Sequence, residues 1–247
     1  MPIRVLTIEG GGVRGIIPTR LLIALESLAE RPIAQLFDVM VGTSTGGMLA
    51  LGLATPGENG APRYTANTVG DIYTSHGLEI FPRPVAALPR SFADAREWWT
   101  SASSNAAIFG FNPEAGNARY APDGIERAFE LYFGDTRLSE ALIDVVITSY
   151  DLQTKSPVLF RSRDTEPDGD VDPFMRQVAR ATSAAPTYFP PLEMDWDGVP
   201  DRLLVDGGVF AKNPAMVGYI EGVARAREQG LADNDVMVVS LGTGVPR

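Results

Sequence analysis

Two glycine-framed stretches, Gly10-Gly11-Gly12-Val13-Arg14-Gly15 and Gly42-Thr43-Ser44-Thr45-Gly46, each stand where an apolar strand pattern gives way to a helical one. In a G-x-S-x-G turn the serine occupies a sharp strand-to-helix bend, so the residues two before and two after it must be nearly free of side chain. Gly42 and Gly46 meet that need and mark Ser44 as a candidate nucleophile. The glycine cluster supplies a complementary part. Consecutive backbone N–H groups at a helix start can point at an oxygen that turns negative during acyl transfer. The two stretches together read as a serine hydrolase.

The flanking pattern sets the fold class. Arg4 to Glu9 is β-branched and apolar, as in a buried strand. After the glycines, Ile17, Leu21, Leu22, Leu25 and Leu28 recur at helical spacing, with Pro18 in the first turn and Pro32 as the stop. The unit repeats at once: Phe37 to Gly42 is a short strand, Ser44 the turn, and Met48 to Ala54 a helix closed by Pro56-Gly57. Further strands are expected at 144–149, 158–161, 203–205 and 236–241, and helices at 122–132, 173–181 and 214–228. Strands alternating with helices predict a three-layer α/β/α sandwich around a mostly parallel sheet. Ligands of such sheets bind outside the carboxyl ends of the strands, where both glycine stretches fall. A single domain over 1–247 is expected. The segment 81–111 departs from the pattern, with Phe81, Phe92, Trp98, Trp99, Phe109 and Phe111 among prolines and small polar residues. It reads as an inserted cap, whose aromatic residues either close a subsidiary core or meet an apolar substrate or lipid.

Composition removes several functions. The chain has 247 residues and no cysteine, which excludes disulfides, thiolate metal sites and a cysteine nucleophile. Its one histidine, His76, excludes a multi-histidine metal site. A net charge of −10 disfavours nucleic acid and gives no long-range attraction to an anionic membrane. Peripheral contact with lipid would need apolar side chains or local charge. No apolar run approaches the roughly 18 residues that span a bilayer, and Met1-Pro2-Ile3-Arg4 lacks the features of a secretory signal, so a cytoplasmic protein is expected.

The glycine cluster has a rival reading. Gly10, Gly12 and Gly15 also satisfy G-x-G-x-x-G, the dinucleotide fingerprint, which requires an acid at the end of the next strand to hold a ribose. Here that strand ends in Gly42-Thr43-Ser44, and Arg14 is better placed to add positive potential beside a developing oxyanion. A serine also needs a base. His76 lies in Tyr73-Thr74-Ser75-His76-Gly77, at a helix end, where a histidine meets the helix dipole without any catalytic role. Asp206, in Leu203-Leu204-Val205-Asp206-Gly207-Gly208, ends an apolar strand and is the better candidate, although Asp-Gly-Gly also makes ordinary turns.

With these residues the sequence resembles the patatin-like phospholipases, lipid acyl hydrolases that use a Ser-Asp dyad and no histidine. The glycine cluster matches the family's oxyanion motif, Gly42 to Gly46 with Gly47 its nucleophile turn, and Asp206-Gly207-Gly208 its acid motif. Tyr73 to Pro82, the run Ala181 to Pro186 leading to Tyr188-Phe189-Pro190, and Ser240-Leu241-Gly242-Thr243-Gly244 agree as well. The residue before the glycines is Glu9 where the family commonly has Asp, and the sequence ends three residues after Gly244 where many relatives continue. The resemblance implies Ser44 as nucleophile, Asp206 as proton acceptor, and an oxyanion hole from Gly10, Gly11 and Gly12 with Arg14. It implies a lipid or phospholipid ester as substrate and neither metal nor organic cofactor; the D-x-[DN]-x-[DN]-G pattern of a calcium loop does not occur. Acyl transfer to an alcohol or thiol, and a non-catalytic lipid-binding module, stay open at this point.

Overall fold

A computed structural model describes residues 1–80, 118–165, 171–196 and 198–244; the expected cap at 81–111 lies outside them. The chain opens with β1 (Ile3–Ile8), a short 3-10 turn (Gly12–Gly15) and α1 (Ile16–Ala29), followed by β2 (Val39–Thr43) and α2 (Thr45–Ala54). Next come α3 (Ala66–Ser75), α4 (Gly77–Ile80), α5 (Asp123–Phe133), β3 (Asp144–Asp151), β4 (Ser156–Arg161) and α6 (Met175–Thr182). The order closes with β5 (Leu192–Trp196), β6 (Val199–Asp206), α7 (Gly208–Ala211), α8 (Ala215–Glu228) and β7 (Val236–Leu241). These strands form one seven-stranded sheet. β7, β1, β2 and β3 run parallel in that spatial order, whereas β4 and β6 each pair antiparallel with β3, and β5 pairs antiparallel with β6.

Alternation along the parallel strands divides the core in two, because successive side chains leave a strand on opposite faces. Leu6, Ile8, Met40, Val145 and Ile147 enter the larger core with α2, α3, α5 and α6, while Ile3, Val5, Val39, Val41 and Val146 enter a smaller one under α8. Helices therefore cover both faces. Every residue of α2 is buried, as expected of a helix that is apolar all round. Its glycines are poor helix formers, and close packing outweighs that cost. A Cβ on Gly52 would stand 2.8 Å from Val69 Cγ2 of α3, and one on Gly47 2.9 Å from Thr182 Cγ2 of α6.

Helix α1 faces differently from the expected stripe. Of the apolar residues at helical spacing only Leu22 is fully buried, together with Pro18 and Thr19, whereas Ile17, Leu21 and Leu28 are exposed. The cause is packing against α3, where Gly70 leaves room for Thr19 and a Cβ there would collide with the Thr19 methyl. The small residues set the contact, and the larger apolar ones turn outward.

Sheet register places the site. At Ser149–Asp151, β3 pairs with both β4 and β6, so these lie on opposite edges; at Val146–Thr148 it pairs with both β2 and β4. It follows that β2 and β6 share one edge of β3. β2 runs parallel to β3 and pairs up to Thr43 with Thr148, and β6 runs antiparallel and ends with Asp206 paired to Ser149. Two strands thus approach head-on along one edge and bring the end of each to the same place.

Candidate active site

Ser44 follows β2 directly and adopts φ 54° and ψ −124°, a conformation that non-glycine residues adopt only when the surroundings enforce it. The surroundings are backbone. A side chain on Gly42 would strike the Gly46 carbonyl, and one on Gly46 the Ile8 carbonyl of the neighbouring strand. The Ser44 N–H donates to Thr182 Oγ1 at 2.8 Å. On the preceding residue, Thr43 Oγ1 donates to the Ala211 carbonyl and meets Thr148 Oγ1, both at 2.7 Å. Tyr73 lies below the turn with its hydroxyl bonded to Thr45, and burial raises its pKa further above the ordinary phenol value.

Asp206 reaches the same point from β6. Its N–H donates to the Ala184 carbonyl at 3.0 Å, and the Gly208 N–H donates to Asp206 Oδ1 at 2.7 Å. Gly207 carries no side chain because one would run into Thr148 Oγ1. Asp206 is 6% exposed. Burial pushes its pKa up to about 6, against the opposing hydrogen bonds of the Ser44 side chain and the Gly208 N–H. Thr182 and Ala184 therefore secure the backbones of Ser44 and Asp206 from one short segment. That segment falls within a run singled out in the sequence, but its two separate contacts become visible only in the fold.

The glycine loop passes directly over the serine: a Cβ on Gly10 would lie 3.1 Å from Ser44 Cβ. Gly10, expected to contribute an oxyanion donor, instead gives its N–H to the Lys212 carbonyl at 3.0 Å. The N–H groups of Gly11 and Gly12 find no acceptor among the described residues. Gly12 sits at φ +58°, where glycine is favoured. Arg14 donates to the carbonyls of Gly11 (3.5 Å) and Gly244 (3.2 Å), so its guanidinium ties the loop to the chain after β7. Gly15 passes against Thr45 and Tyr73, and a side chain there would strike both. His76 stands apart. It pairs with Glu79 Oε2 at 3.1 Å and packs edge-on to Tyr132, and it does not line the cavity described next.

Ser44, Asp206 and Gly10–Gly12 lie at the wall of a cavity of about 670 Å³. That volume falls within the roughly 300–1,000 Å³ of small-molecule sites. Its lining also includes Met48, Ile72, Ile80, Ile125 and Phe189, with Tyr120 and Tyr188. Arg14 and Lys212 are the cationic residues among the described lining. No group of histidine, aspartate or glutamate residues suited to a metal ion occurs among the described residues. None of their helices is long and apolar enough to cross a membrane.

The family model "Patatin-like phospholipase" matches residues 6–219. Patatin group A-3 of Solanum tuberosum is 32% identical over 261 aligned positions, covering 98% of this chain and 60% of the patatin. Patatin-1-Kuras 2 of the same plant is likewise 32% identical, with 98% and 62% covered. The chain belongs to the patatin-like phospholipase family, and it spans about 60% of the length of the relatives it matches. Among solved structures, VipD from Legionella pneumophila aligns with a TM-score of 0.38 at 16% identity, over 85% of this chain and 46% of that one.

Proposed function

We propose that this protein is a lipid acyl hydrolase that cleaves fatty-acyl esters through Ser44 and Asp206. One observation carries the reading: a serine held at positive φ beside a buried carboxyl, at the wall of a cavity lined by aliphatic and aromatic side chains. The apolar lining suits an acyl chain, whose burial contributes about 0.8 kcal/mol per CH₂. Membership of the patatin-like family supports the same substrate class.

In the forward step Ser44 Oγ attacks the ester carbonyl carbon while its proton passes to Asp206. A carboxylate with pKa about 6 accepts that proton more readily than one at 3.8, and it is still ionised at neutral pH. The carbonyl oxygen becomes an oxyanion that the Gly11 and Gly12 N–H groups stabilise. The tetrahedral intermediate then collapses, Asp206 returns the proton to the departing alkoxide, and an acyl-serine remains. Water repeats the sequence: it loses a proton to Asp206, attacks the acyl carbon, and releases the fatty acid as Ser44 Oγ recovers the proton. One Asp206 oxygen is occupied by the Gly208 N–H, which leaves the other for this traffic.

The test is hydrolysis of a panel of phospholipid, lysophospholipid and neutral acyl esters by the wild type and by Ser44→Ala, with covalent labelling by an alkyl fluorophosphonate. Expected is fatty-acid release and labelling at Ser44, both lost in the variant. Labelling at another residue, or release undiminished by Ser44→Ala, would overturn the assignment.

A further inference from the structure

We infer that Thr243, on the loop after β7, is a positioning residue that aims the Gly11 N–H at the reacting oxygen. The inference deepens the proposed function and rests on it. A trans peptide is planar, so its C=O and the following N–H point in opposite directions. Whatever grips a carbonyl from one side therefore turns the next N–H toward the other. Thr243 Oγ1 donates to the Gly10 carbonyl at 3.0 Å, which directs the Gly11 N–H away from Thr243. The Arg14 backbone N–H donates to the Gly11 carbonyl at 3.2 Å and in the same way directs the Gly12 N–H. The Gly10 N–H is itself held by the Lys212 carbonyl. Successive peptides of the loop are thus each fixed at the carbonyl, and among the described residues Gly11 and Gly12 are its donors without an acceptor.

Thr243 suits this task better than a general packing role. It is fully buried, and Glu9 Oε2 accepts its N–H at 3.4 Å while Glu9 Oε1 accepts from Asn213 Nδ2 at 2.7 Å. Its hydroxyl has the Gly10 carbonyl as its hydrogen-bond partner among the described residues. Its side chain also occupies the space a Cβ on Gly11 would need, with Thr243 Cβ only 2.6 Å from that position. The residue is 233 positions from the carbonyl it holds. A loop at the other end of the chain thereby acts on the donors beside Ser44.

The experiment compares Thr243→Val, which removes the hydroxyl at nearly constant volume, with Thr243→Ser, which keeps it. On a soluble short-chain ester Thr243→Val should lower kcat by roughly 10- to 100-fold, less than the loss of a whole donor, with KM within about threefold. Inactivation by an alkyl fluorophosphonate should slow in parallel, because the phosphonyl oxygen occupies the oxyanion position. Thr243→Ser should recover turnover to within about fivefold of wild type, the signature of a hydrogen bond rather than of a methyl contact. If the valine variant does not fold, Thr243→Ala against Thr243→Ser carries the same comparison. Wild-type turnover without the hydroxyl, equal loss in the serine variant, or loss that follows a lowered melting temperature would each overturn the inference. Ser44→Ala separates the levels: retained hydrolysis in that variant would sink the proposed function itself, whereas an inactive Ser44→Ala beside an unaffected Thr243→Val would sink only the role of Thr243.

Discussion

The turn that carries Ser44 and the loop that carries Gly11 and Gly12 lie against each other, and they differ in how far backbone packing fixes each. The Ser44 turn is set mainly by exclusion, with the Ser44 N–H and the Thr43 hydroxyl bonded beside it: β2 and α2 are buried throughout, and Gly42 and Gly46 touch carbonyls of the turn itself and of β1. No rearrangement of side chains relieves a clash between backbones. The glycine loop is half open: Gly11 and Gly15 are packed, but no atom of the described residues lies within 4 Å of a Cβ position on Gly12, and hydrogen bonds with the Thr243 hydroxyl, Arg14 and the Lys212 carbonyl hold the loop. Steric fixing suits an atom that must attack along one line. Hydrogen-bonded fixing suits donors that must remain unpaired before the reaction and take up an oxygen during it.

The largest effect should come from the reacting groups themselves. Ser44→Ala and Asp206→Asn are each expected to lower turnover by at least about 1000-fold, and the double variant should be scarcely worse than either, because in the proposed mechanism they act in one proton-transfer unit. Near-wild-type turnover in Asp206→Asn would break the pairing. The next pair of variants addresses the contrast directly. Gly46→Ala drives a Cβ into the Ile8 carbonyl and should cost several kcal/mol, seen as loss of folded protein or a steep fall in melting temperature. Gly12→Ala meets no atom of the described residues, so the φ of +58° is what opposes it, at roughly 1–2 kcal/mol. It should fold, with a smaller fall in melting temperature than Gly46→Ala, and lose turnover. If both variants melted alike, the distinction between excluded and hydrogen-bonded positioning would be wrong.

Much of this was legible in the sequence, for reasons that can be assigned. Ser44 and its glycines form a local motif, and a strand, turn and helix of consecutive residues carry their own steric demands. Asp206 could be proposed because an acid ends an apolar strand before two glycines, but its meeting with Ser44 depends on β2 and β6 sharing an edge of β3, which no local pattern encodes. The bond of the Gly10 N–H was unreadable because its acceptor, the Lys212 carbonyl, is a main-chain atom some 200 residues away. Strand β5 was missed even though Leu192, Met194 and Trp196 alternate with Glu193 and Asp195; the burial follows the alternation, with the apolar residues half-buried and the acids exposed. The outward face of α1 was unreadable, because it depends on Gly70 in another helix receiving Thr19.

A further consequence separates stability from activity at the acid. The Asp206 pKa is about 6 in the folded chain, against 3.8 for an ordinary aspartate, so the folded state holds the proton more tightly. The stability this group contributes is complete below about 4, declines as pH rises, and is gone above about 6. Asp206→Asn removes the burial of a charge, and above pH 6 it should be more stable than wild type by up to about 3 kcal/mol, the worth of a shift near two units. The advantage should shrink as the pH falls toward 4. Denaturant midpoints across that range measure it. A variant that is no more stable at pH 8 than at pH 4, relative to wild type, would mean that the carboxyl is better solvated than its burial implies.

The smallest expected effect concerns His76, and it decides what a pH profile means. If Asp206 must be ionised to accept a proton, kcat/KM should fall as pH drops below about 6. An ordinary imidazole titrates near 6.5, so that limb alone does not distinguish a raised carboxyl from a histidine. His76 pairs with Glu79 and packs on Tyr132, away from the cavity wall that holds Ser44. Replacing it by alanine removes a part-exposed polar contact with Glu79 worth about 0–1 kcal/mol and an edge contact of roughly similar size, so a fall of a few degrees in melting temperature is expected. Turnover should stay within a few-fold, and the acid limb should remain where it was. Asp206→Glu, which retains a carboxyl but displaces it, should instead shift the limb in whatever activity survives. A limb that vanished in His76→Ala and persisted in Asp206→Glu would transfer the titration to the imidazole, and with it the role of base.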